Sequence, residues 1–242
     1  MFIIEFLGLP GSGKTYVYKN LITYLRKNKF TVIEPKKFFI KKILLDEKNF
    51  IKKFTNFIYF IYSQKISLES KKIFKKQYSS IIQKINLKKK ILTKNEIRVI
   101  KIYNYYLSKS RYSSIRKKRS FDNFLIELIS IKEALKIYNK NENIIILLDE
   151  GFFQKIYLNY KNLNYKKFLS YLKQYFNSLP KTDLVIFKNQ SMKKNINIVN
   201  QRNSAFRYYD HKNNKVLGNP MTFIKEYKKI IKNKKINFYN YK

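Results

Sequence analysis

Cysteine and tryptophan are absent from this chain of 242 residues, and histidine occurs once, at His211. A chain without cysteine has no disulfides, no thiolate metal sites and no cysteine nucleophiles. A single histidine argues equally against a metal site built on imidazole ligands. The sequence therefore gives no support to a disulfide scaffold or to thiol- or imidazole-based metal chemistry.

Acidic residues are also scarce, because 15 aspartates and glutamates stand against 53 lysines and arginines, for a net charge of +38. Such an excess indicates a polyanionic partner such as nucleic acid. However, Lys, Asn, Ile, Tyr and Phe are all abundant while Ala, Gly, Pro and Trp are rare, which is the pattern of AT-rich coding. Both explanations stay open, and we favour the compositional one, so nucleic acid is an allowed partner but not the favoured one.

Long apolar runs are missing as well. No run approaches the ~18 residues that a membrane-spanning helix needs. The first predicted strand begins at Phe2 without a basic leader and continues directly into a glycine-rich motif. Because cleavage of a signal peptide would remove that motif, we expect a cytoplasmic protein without a membrane span.

Glycine is rare, yet three of the five glycines fall within Gly8–Thr15, GLPGSGKT. This is the pattern G-x-x-x-x-G-K-[ST], placed between a predicted strand and a predicted helix as the motif requires. Its backbone N–H groups and the helix dipole favour a phosphate, Lys14 is expected to reach the β- and γ-phosphates, and the Thr15 hydroxyl to hold Mg²⁺. The residues expected to bind the nucleoside triphosphate, ATP with Mg²⁺, are Gly8, Leu9, Pro10, Gly11, Ser12, Gly13, Lys14, Thr15 and Tyr16.

Hydrophobic patterning predicts an α/β fold with a five-stranded, mainly parallel sheet and helices on both faces. The strands are predicted at 2–7, 30–33, 144–148, 184–187 and 236–239. The block 36–143 contains neither glycine nor proline and is predicted to be a helical insertion between strands two and three. We expect a single domain, 1–242.

Two helix starts are predicted inside that block. The segment Thr93–Glu96 has the pattern of a capping box, and the helix that follows should turn Ile97 and Leu107 toward the core. Asp122 is expected to cap the next helix, whose buried stripe would include Leu135.

Carboxylates follow two of the predicted strands. Asp149 and Glu150 end the strand 144–148, and ligands of parallel sheets lie beyond the carboxyl ends of the strands. Asp149 is expected to hold Mg²⁺, although an acidic strand end that caps the next helix is the alternative. Glu34 ends the second strand and is a candidate base for an acceptor hydroxyl. Gly151 indicates that the backbone passes close to another group.

Arginine is retained at only seven positions among the 53 basic residues. Its planar fork suits bidentate phosphate contacts that lysine does not copy. Arg202 and Arg207 follow the fourth predicted strand, where a mobile cationic segment could close over phosphates. A second cluster lies in the helical block, where the arginines either grip an anionic acceptor or form a solvated basic loop. Its members are Arg111, Arg116 and Arg119.

Together these elements resemble the P-loop kinases of the nucleoside and nucleotide kinase group, especially thymidylate kinase-like and deoxynucleoside kinase-like proteins. The resemblance is carried by GLPGSGKT at 8–15, Glu34-Pro35, Asp149 and PKTDLVIF at 180–187, and it extends to Arg202 and Arg207. It implies a P-loop NTPase fold that binds ATP and Mg²⁺. It also implies that Glu34 lies near the acceptor hydroxyl and that the two arginines contact phosphates.

The sequence departs from that family at several positions. Asp149-Glu150-Gly151 stands where thymidylate kinases typically have Asp-Arg and deoxynucleoside kinases Glu-Arg-Ser. Asn197 stands where a lid arginine is expected, and the helical block is longer than usual. The substrate is therefore not carried over from the family, and a nucleoside, a nucleotide or a sugar-like alcohol all stay open as acceptors.

Three functional hypotheses follow. The leading one is an ATP-dependent small-molecule kinase in which Lys14, Glu34, Asp149, Glu150, Arg202 and Arg207 carry the chemistry. The main alternative is a P-loop ATPase acting on nucleic acid or a protein, with Glu150 activating water. A nucleotide-binding scaffold without turnover is the third, and the intact Lys14, Thr15 and Asp149 argue against it. The sequence leaves open whether the protein is a homodimer.

Overall fold

A computed structural model describes residues 1–8, 12–39, 92–109, 114–138, 143–157, 165–188, 209–210, 215–216 and 220–241. The elements in these parts of the chain, in order, are β1 (Phe2–Gly8), α1 (Lys14–Lys27), β2 (Thr31–Ile33), α2 (Pro35–Phe38), α3 (Lys94–Lys109), α4 (Ser114–Ile137), β3 (Ile144–Leu148), α5 (Phe152–Tyr157), α6 (Tyr165–Ser178), β4 (Leu184–Lys188), β5 (Tyr209–Asp210), β6 (Lys215–Val216), α7 (Pro220–Asn233) and β7 (Asn237–Tyr241).

The five strands expected from sequence form one parallel sheet in the order β2-β3-β1-β4-β7. The predicted α/β class and the five-stranded parallel sheet are confirmed, with strand ends within about two residues of the expected ones. The short antiparallel pair β5–β6 was not expected from sequence. Each of its strands has two residues, which is too short for an alternating pattern to be visible.

The sheet separates two apolar cores because alternate side chains of a strand point to opposite faces. One core joins the sheet to α1, and the other joins it to α3, α4, α6 and α7, so the prediction of helices on both faces is confirmed. The side chains packed on the α1 side are Ile4, Phe6, Ile145, Leu147 and Ile186 of the sheet with Val17, Tyr18, Ile22 and Leu25. On the opposite side Ile3, Leu7, Ile146 and Val185 pack with Val99, Phe124, Tyr175 and Tyr227.

The predicted capping box at the start of α3 is confirmed. The Thr93 backbone N–H donates to Glu96 Oε2 at 2.6 Å, and the Glu96 N–H donates to Thr93 Oγ1 at 3.3 Å. Leu107 is buried as expected, whereas Ile97 is 41% exposed and its predicted burial is wrong. The buried stripe of α3 instead follows Val99, with partners three, four and seven residues later, and Ile97 lies off that stripe.

The predicted helix start at Asp122 is wrong, because α4 begins at Ser114 and passes through Asp122 without a break. No glycine or proline interrupts the residues between them, so the helix extends upstream of the candidate cap. Leu135 is 38% exposed rather than buried. Among the described helices, none is long and apolar enough to cross a membrane.

Candidate functional site

The candidate site lies where β1 and β3 end. Both strands run in the same direction, and their pairing stops at Glu5 opposite Leu148. β1 continues to Gly8 and is followed, after the segment 9–11, by α1. Since carboxyl ends of parallel strands meet at one edge, the glycine-rich motif and Asp149-Glu150 share that edge.

Gly8 and Gly13 have separate physical reasons to be glycine. A Cβ on Gly8 would lie 2.8 Å from the Lys188 carbonyl oxygen and 2.9 Å from Ser12 Oγ, closer than a side chain tolerates. Gly13 adopts φ +82° at the N-cap of α1, a left-handed conformation that favours glycine. Glycine at position 8 therefore allows close packing at the end of β1, and glycine at position 13 allows the backbone to enter α1.

Lys14 is the buried cation of the site. Its side chain is 7% exposed, and Nζ donates a hydrogen bond of 2.7 Å to the Gly8 carbonyl oxygen. Burial lowers the Lys14 pKa to about 8, although the charges of Glu150 and Asp149 oppose that change. The charges of both strand-end carboxylates therefore act on this ammonium.

Asp149 is the half-buried carboxylate of the site. Its Oδ1 atom is buried and accepts no hydrogen bond from any described residue. Burial and the neighbouring Glu150 charge raise the Asp149 pKa, while Lys14 and Lys36 oppose that rise. A buried acceptor without a donor suits a cation, whereas the adjacent Glu150 is exposed.

A magnesium ion at this edge would not depend on protein ligands alone. Within the described ranges, no group of three or more His, Cys, Asp or Glu residues could hold a metal ion. Mg²⁺ is commonly bound by one or two carboxylates together with waters and substrate phosphates. Asp149 with the exposed Thr15 in the first turn of α1 fits that kind of site.

The close approach expected at Gly151 is to the protein itself. A Cβ on Gly151 would lie 2.6 Å from Cδ of Glu5, a buried residue in the middle of β1. Glu5 is held in place because Thr182 Oγ1 donates to its Oε1 at 2.7 Å. The glycine thus lets the turn after Asp149-Glu150 lie directly against the sheet.

Replacing Gly151 with alanine should destabilise the fold by about 1–3 kcal/mol, because the new methyl group overlaps the Glu5 carboxylate, whose displacement would break its buried hydrogen bond with Thr182. Urea unfolding would measure the loss. Ser170→Ala, at an exposed position of α6, is the matched control and should unfold like the wild type. Equal midpoints for both variants would contradict the steric argument.

Glu34 lies in a network at the end of β2. Its Oε1 pairs with Arg26 at 3.1 Å and with Lys37 at 2.8 Å, and Oε2 accepts from the Tyr18 hydroxyl at 3.3 Å. Burial and the charges of Glu34 and Asp149 raise the Tyr18 pKa. The Tyr18 hydroxyl therefore links α1 to the end of β2.

Three residues of the site were not expected from sequence. The Gln154 side-chain oxygen accepts a hydrogen bond of 3.2 Å from the Gly8 N–H. Lys155 forms a buried ion pair with Glu127 and donates to the Glu150 carbonyl oxygen at 2.6 Å. The Gly8–Gln154 and Glu127–Lys155 contacts join positions 146 and 28 residues apart, separations that no local pattern encodes.

The remaining predicted site residues divide into two groups. Tyr16 is exposed at the start of α1, and Arg116 and Arg119 belong to α4. The others lie outside the described residues, so their predicted roles stay predictions. They are Leu9, Pro10, Gly11, Arg111, Arg202 and Arg207.

No protein-family model matches this sequence, and a comparison with curated proteins finds no matching relative.

Proposed function

We propose that the protein is an ATP-dependent kinase that transfers the γ-phosphoryl group to a hydroxyl or phosphate of a small molecule. One observation carries the proposal: buried Lys14 donates to the Gly8 carbonyl oxygen, and its ammonium is within the electrostatic influence of Asp149, whose Oδ1 is buried and unpartnered. A cation at the start of α1 and a carboxylate at the end of β3 suit a magnesium nucleotide. The resemblance to nucleoside and nucleotide kinases supports the same reading.

The chain's own groups have distinct tasks in this proposal. The backbone of Gly8–Thr15 binds phosphates, and Lys14 neutralises charge on the β- and γ-phosphates. Thr15 and Asp149 would hold Mg²⁺, which when bound supplies further charge neutralisation on the phosphates. Arg202 and Arg207 are proposed to contact the transferring group.

Two carboxylates, Glu34 and Glu150, are candidates for the base that acts on the acceptor hydroxyl. Glu34 has an ordered carboxylate within a network of donors, which suits a group that orients an acceptor hydroxyl. Glu150 has an exposed side chain, while its backbone is fixed by Lys155. We favour Glu34 as the group near the acceptor, because a positioned base transfers protons more effectively than an exposed one.

The second candidate is an ATPase that acts on nucleic acid, and the net charge of +38 is the observation that favours it. Binding through lysines would depend steeply on salt. For each tenfold increase in salt concentration, the logarithm of the binding constant would fall by ~0.9 for every phosphate contacted on duplex DNA. Weak binding that is unaffected by salt would remove this candidate.

The decisive experiment measures ADP formation from ATP and Mg²⁺ with the purified protein. One reaction receives a pool of nucleosides, nucleotides and sugars, another receives RNA, and a third receives neither. Turnover that requires the small-molecule pool supports the kinase, and dividing the pool then identifies the acceptor. Turnover that is independent of the pool, or that RNA stimulates, supports the ATPase instead.

The lowered pKa of Lys14 gives a pH prediction. The free protein begins to lose the Lys14 proton at about pH 8, and bound phosphates should raise that pKa again. ATP binding should therefore take up protons near pH 8–9, and affinity should fall by up to about tenfold per pH unit above that range. Calorimetry in buffers of different ionisation enthalpy measures this uptake.

Lys14→Arg is the matched control for the pH experiment. Arginine stays charged across the range, so the proton uptake should disappear in that variant. Proton uptake by Lys14→Arg equal to the wild type would contradict the assignment to Lys14.

The lowered pKa of Lys14 also affects folding stability. Between a pH of about 8 and the unfolded-state pKa of about 10.4, the unfolded chain binds more protons than the folded protein. In that range Lys14 therefore makes the free energy of unfolding rise with pH.

A further inference from the structure

Gln154 occupies a gap in the backbone ladder of the sheet. The pairing of β1 with β3 ends at Glu5 and Leu148, three residues before β1 itself ends at Gly8. Beyond that point the Gly8 N–H donates to the Gln154 side-chain oxygen at 3.2 Å instead. A carboxamide from α5 thus replaces a strand carbonyl at the first residue of the glycine-rich motif.

This contact fixes the orientation of the carboxamide. The Gly8 N–H is a donor, so the oxygen of Gln154 must face it and the amide nitrogen must face away. Gln154 is 1% exposed, and Nε2 is buried without a hydrogen-bond partner among the described residues. A buried amide donor without an acceptor is unfavourable, and such groups are rare in folded proteins.

The residues near Gln154 indicate which kind of acceptor its Nε2 requires. Gly8 binds Gln154 through its N–H and Lys14 through its carbonyl oxygen, so the amide and the ammonium flank one residue. Asp149 Oδ1 is the complementary unpartnered acceptor, but it does not bond to Gln154. An anionic ligand that brings oxygens to Lys14 would also supply an acceptor for Nε2.

We propose that Gln154 Nε2 donates a hydrogen bond to an oxygen of the terminal phosphate of bound ATP, so that Gln154 discriminates ATP from ADP. The inference rests on the proposed nucleotide site and adds a residue that the glycine-rich motif does not contain. Gln154 thereby makes two contacts. Its side-chain oxygen accepts from the Gly8 N–H at the start of the motif, and its nitrogen donates to the γ-phosphate, which ADP lacks.

Gln154→Glu separates these two tasks. The carboxylate still accepts from the Gly8 N–H but no longer donates, and it repels the phosphate. A hydrogen bond to a charged group is strong enough that the ratio of ATP to ADP affinity should fall by about 10- to 100-fold at pH 8. Protonation of the new carboxyl restores a donor, so the ratio should recover as the pH falls toward 6. Calorimetric titration with Mg²⁺ and each nucleotide measures both constants.

Two further variants complete the experiment. Gln154→Met removes oxygen and nitrogen together, so it should weaken both nucleotides and lower the ATP to ADP ratio at every pH. Gln174→Glu is the matched control, because Gln174 Oε1 accepts from Arg98 on the surface and a carboxylate keeps that contact. Its nucleotide affinities should equal those of the wild type. Thermal melts establish that each variant is folded.

The outcomes distinguish this inference from the proposed function. An unchanged ATP to ADP ratio in Gln154→Glu, or equal losses for both nucleotides without recovery at low pH, would overturn the role of Gln154 alone. Should Lys14→Ala still abolish ATP binding in that case, the nucleotide site would stand. A wild-type protein that binds neither nucleotide would overturn both proposals.

Discussion

Replacing Lys14 with alanine should reduce phosphoryl transfer by at least about 10²–10³-fold, the cost of removing a preorganised charge that stabilises the transition state. Lys14 is buried against the Gly8 carbonyl, so its ammonium is already placed before a nucleotide arrives. A preorganised cation in a site of low dielectric needs little rearrangement when charge develops on the transferring phosphoryl group. The measurement is initial-rate kinetics with the acceptor that the pooled assay identifies.

Lys14→Ala needs a control that removes a lysine without touching the site. Lys101→Ala serves this purpose because Lys101 is exposed on α3. We expect its rate to equal that of the wild type. A wild-type rate in Lys14→Ala would contradict the kinase proposal, because no other feature of the described site explains a buried lysine at the glycine-rich motif.

Replacing Lys155 with methionine should destabilise the protein by about 3–5 kcal/mol, because it leaves the Glu127 carboxylate buried without its cation. Both side chains are under a tenth exposed and form an ion pair between α5 and α4. Lys155 also donates to the Glu150 carbonyl, so the turn after β3 loses a hydrogen bond at the same time. Urea unfolding of the single variants measures the loss.

The double variant Lys155→Met/Glu127→Leu tests the physical cause. Removing both charges eliminates the buried unpaired group, so stability should recover to within about 1 kcal/mol of the wild type, the remainder being the hydrogen bond to the Glu150 carbonyl that stays lost. The Glu96–Lys132 pair provides a matched control, since its lysine is 29% exposed and Lys132→Met should cost under about 1 kcal/mol. Equal losses for Lys155→Met and Lys132→Met would contradict the desolvation argument.

The sheet and the edge that carries the site could be predicted because both depend on short-range patterns. The apolar run of β3 is continuous, that of β1 is interrupted only by Glu5, and the glycines at 8 and 13 stand where the backbone requires them. Helix boundaries in the block 36–143, which contains neither glycine nor proline, were less predictable. Asp122 has the chemistry of a cap, but nothing upstream stops α4 from beginning at Ser114.

The supporting polar contacts of the site could not be predicted, because they join residues far apart in sequence. Gln154 in α5 has no local signal that distinguishes it from a solvated polar residue, and its partner is Gly8. Glu127 lies within the apolar stripe of α4, and only the packing of α5 against it reveals Lys155 as its partner. Gly151 did signal a close approach, but sequence could not name Glu5 as the group approached.

The order of the sheet determines when the protein is able to fold during its synthesis. Among the described strands, β1 pairs with β3 and β4, and β2 pairs with β3. The first two strands therefore do not pair with each other. The sheet therefore gains its first pair only when Ile144–Leu148 has left the ribosome. At 5–20 residues per second, β1 remains unpaired for roughly 7–30 s while the residues before β3 are made. During that interval an apolar strand lacks its partners in the sheet, and an unpaired apolar strand of this kind is prone to aggregation.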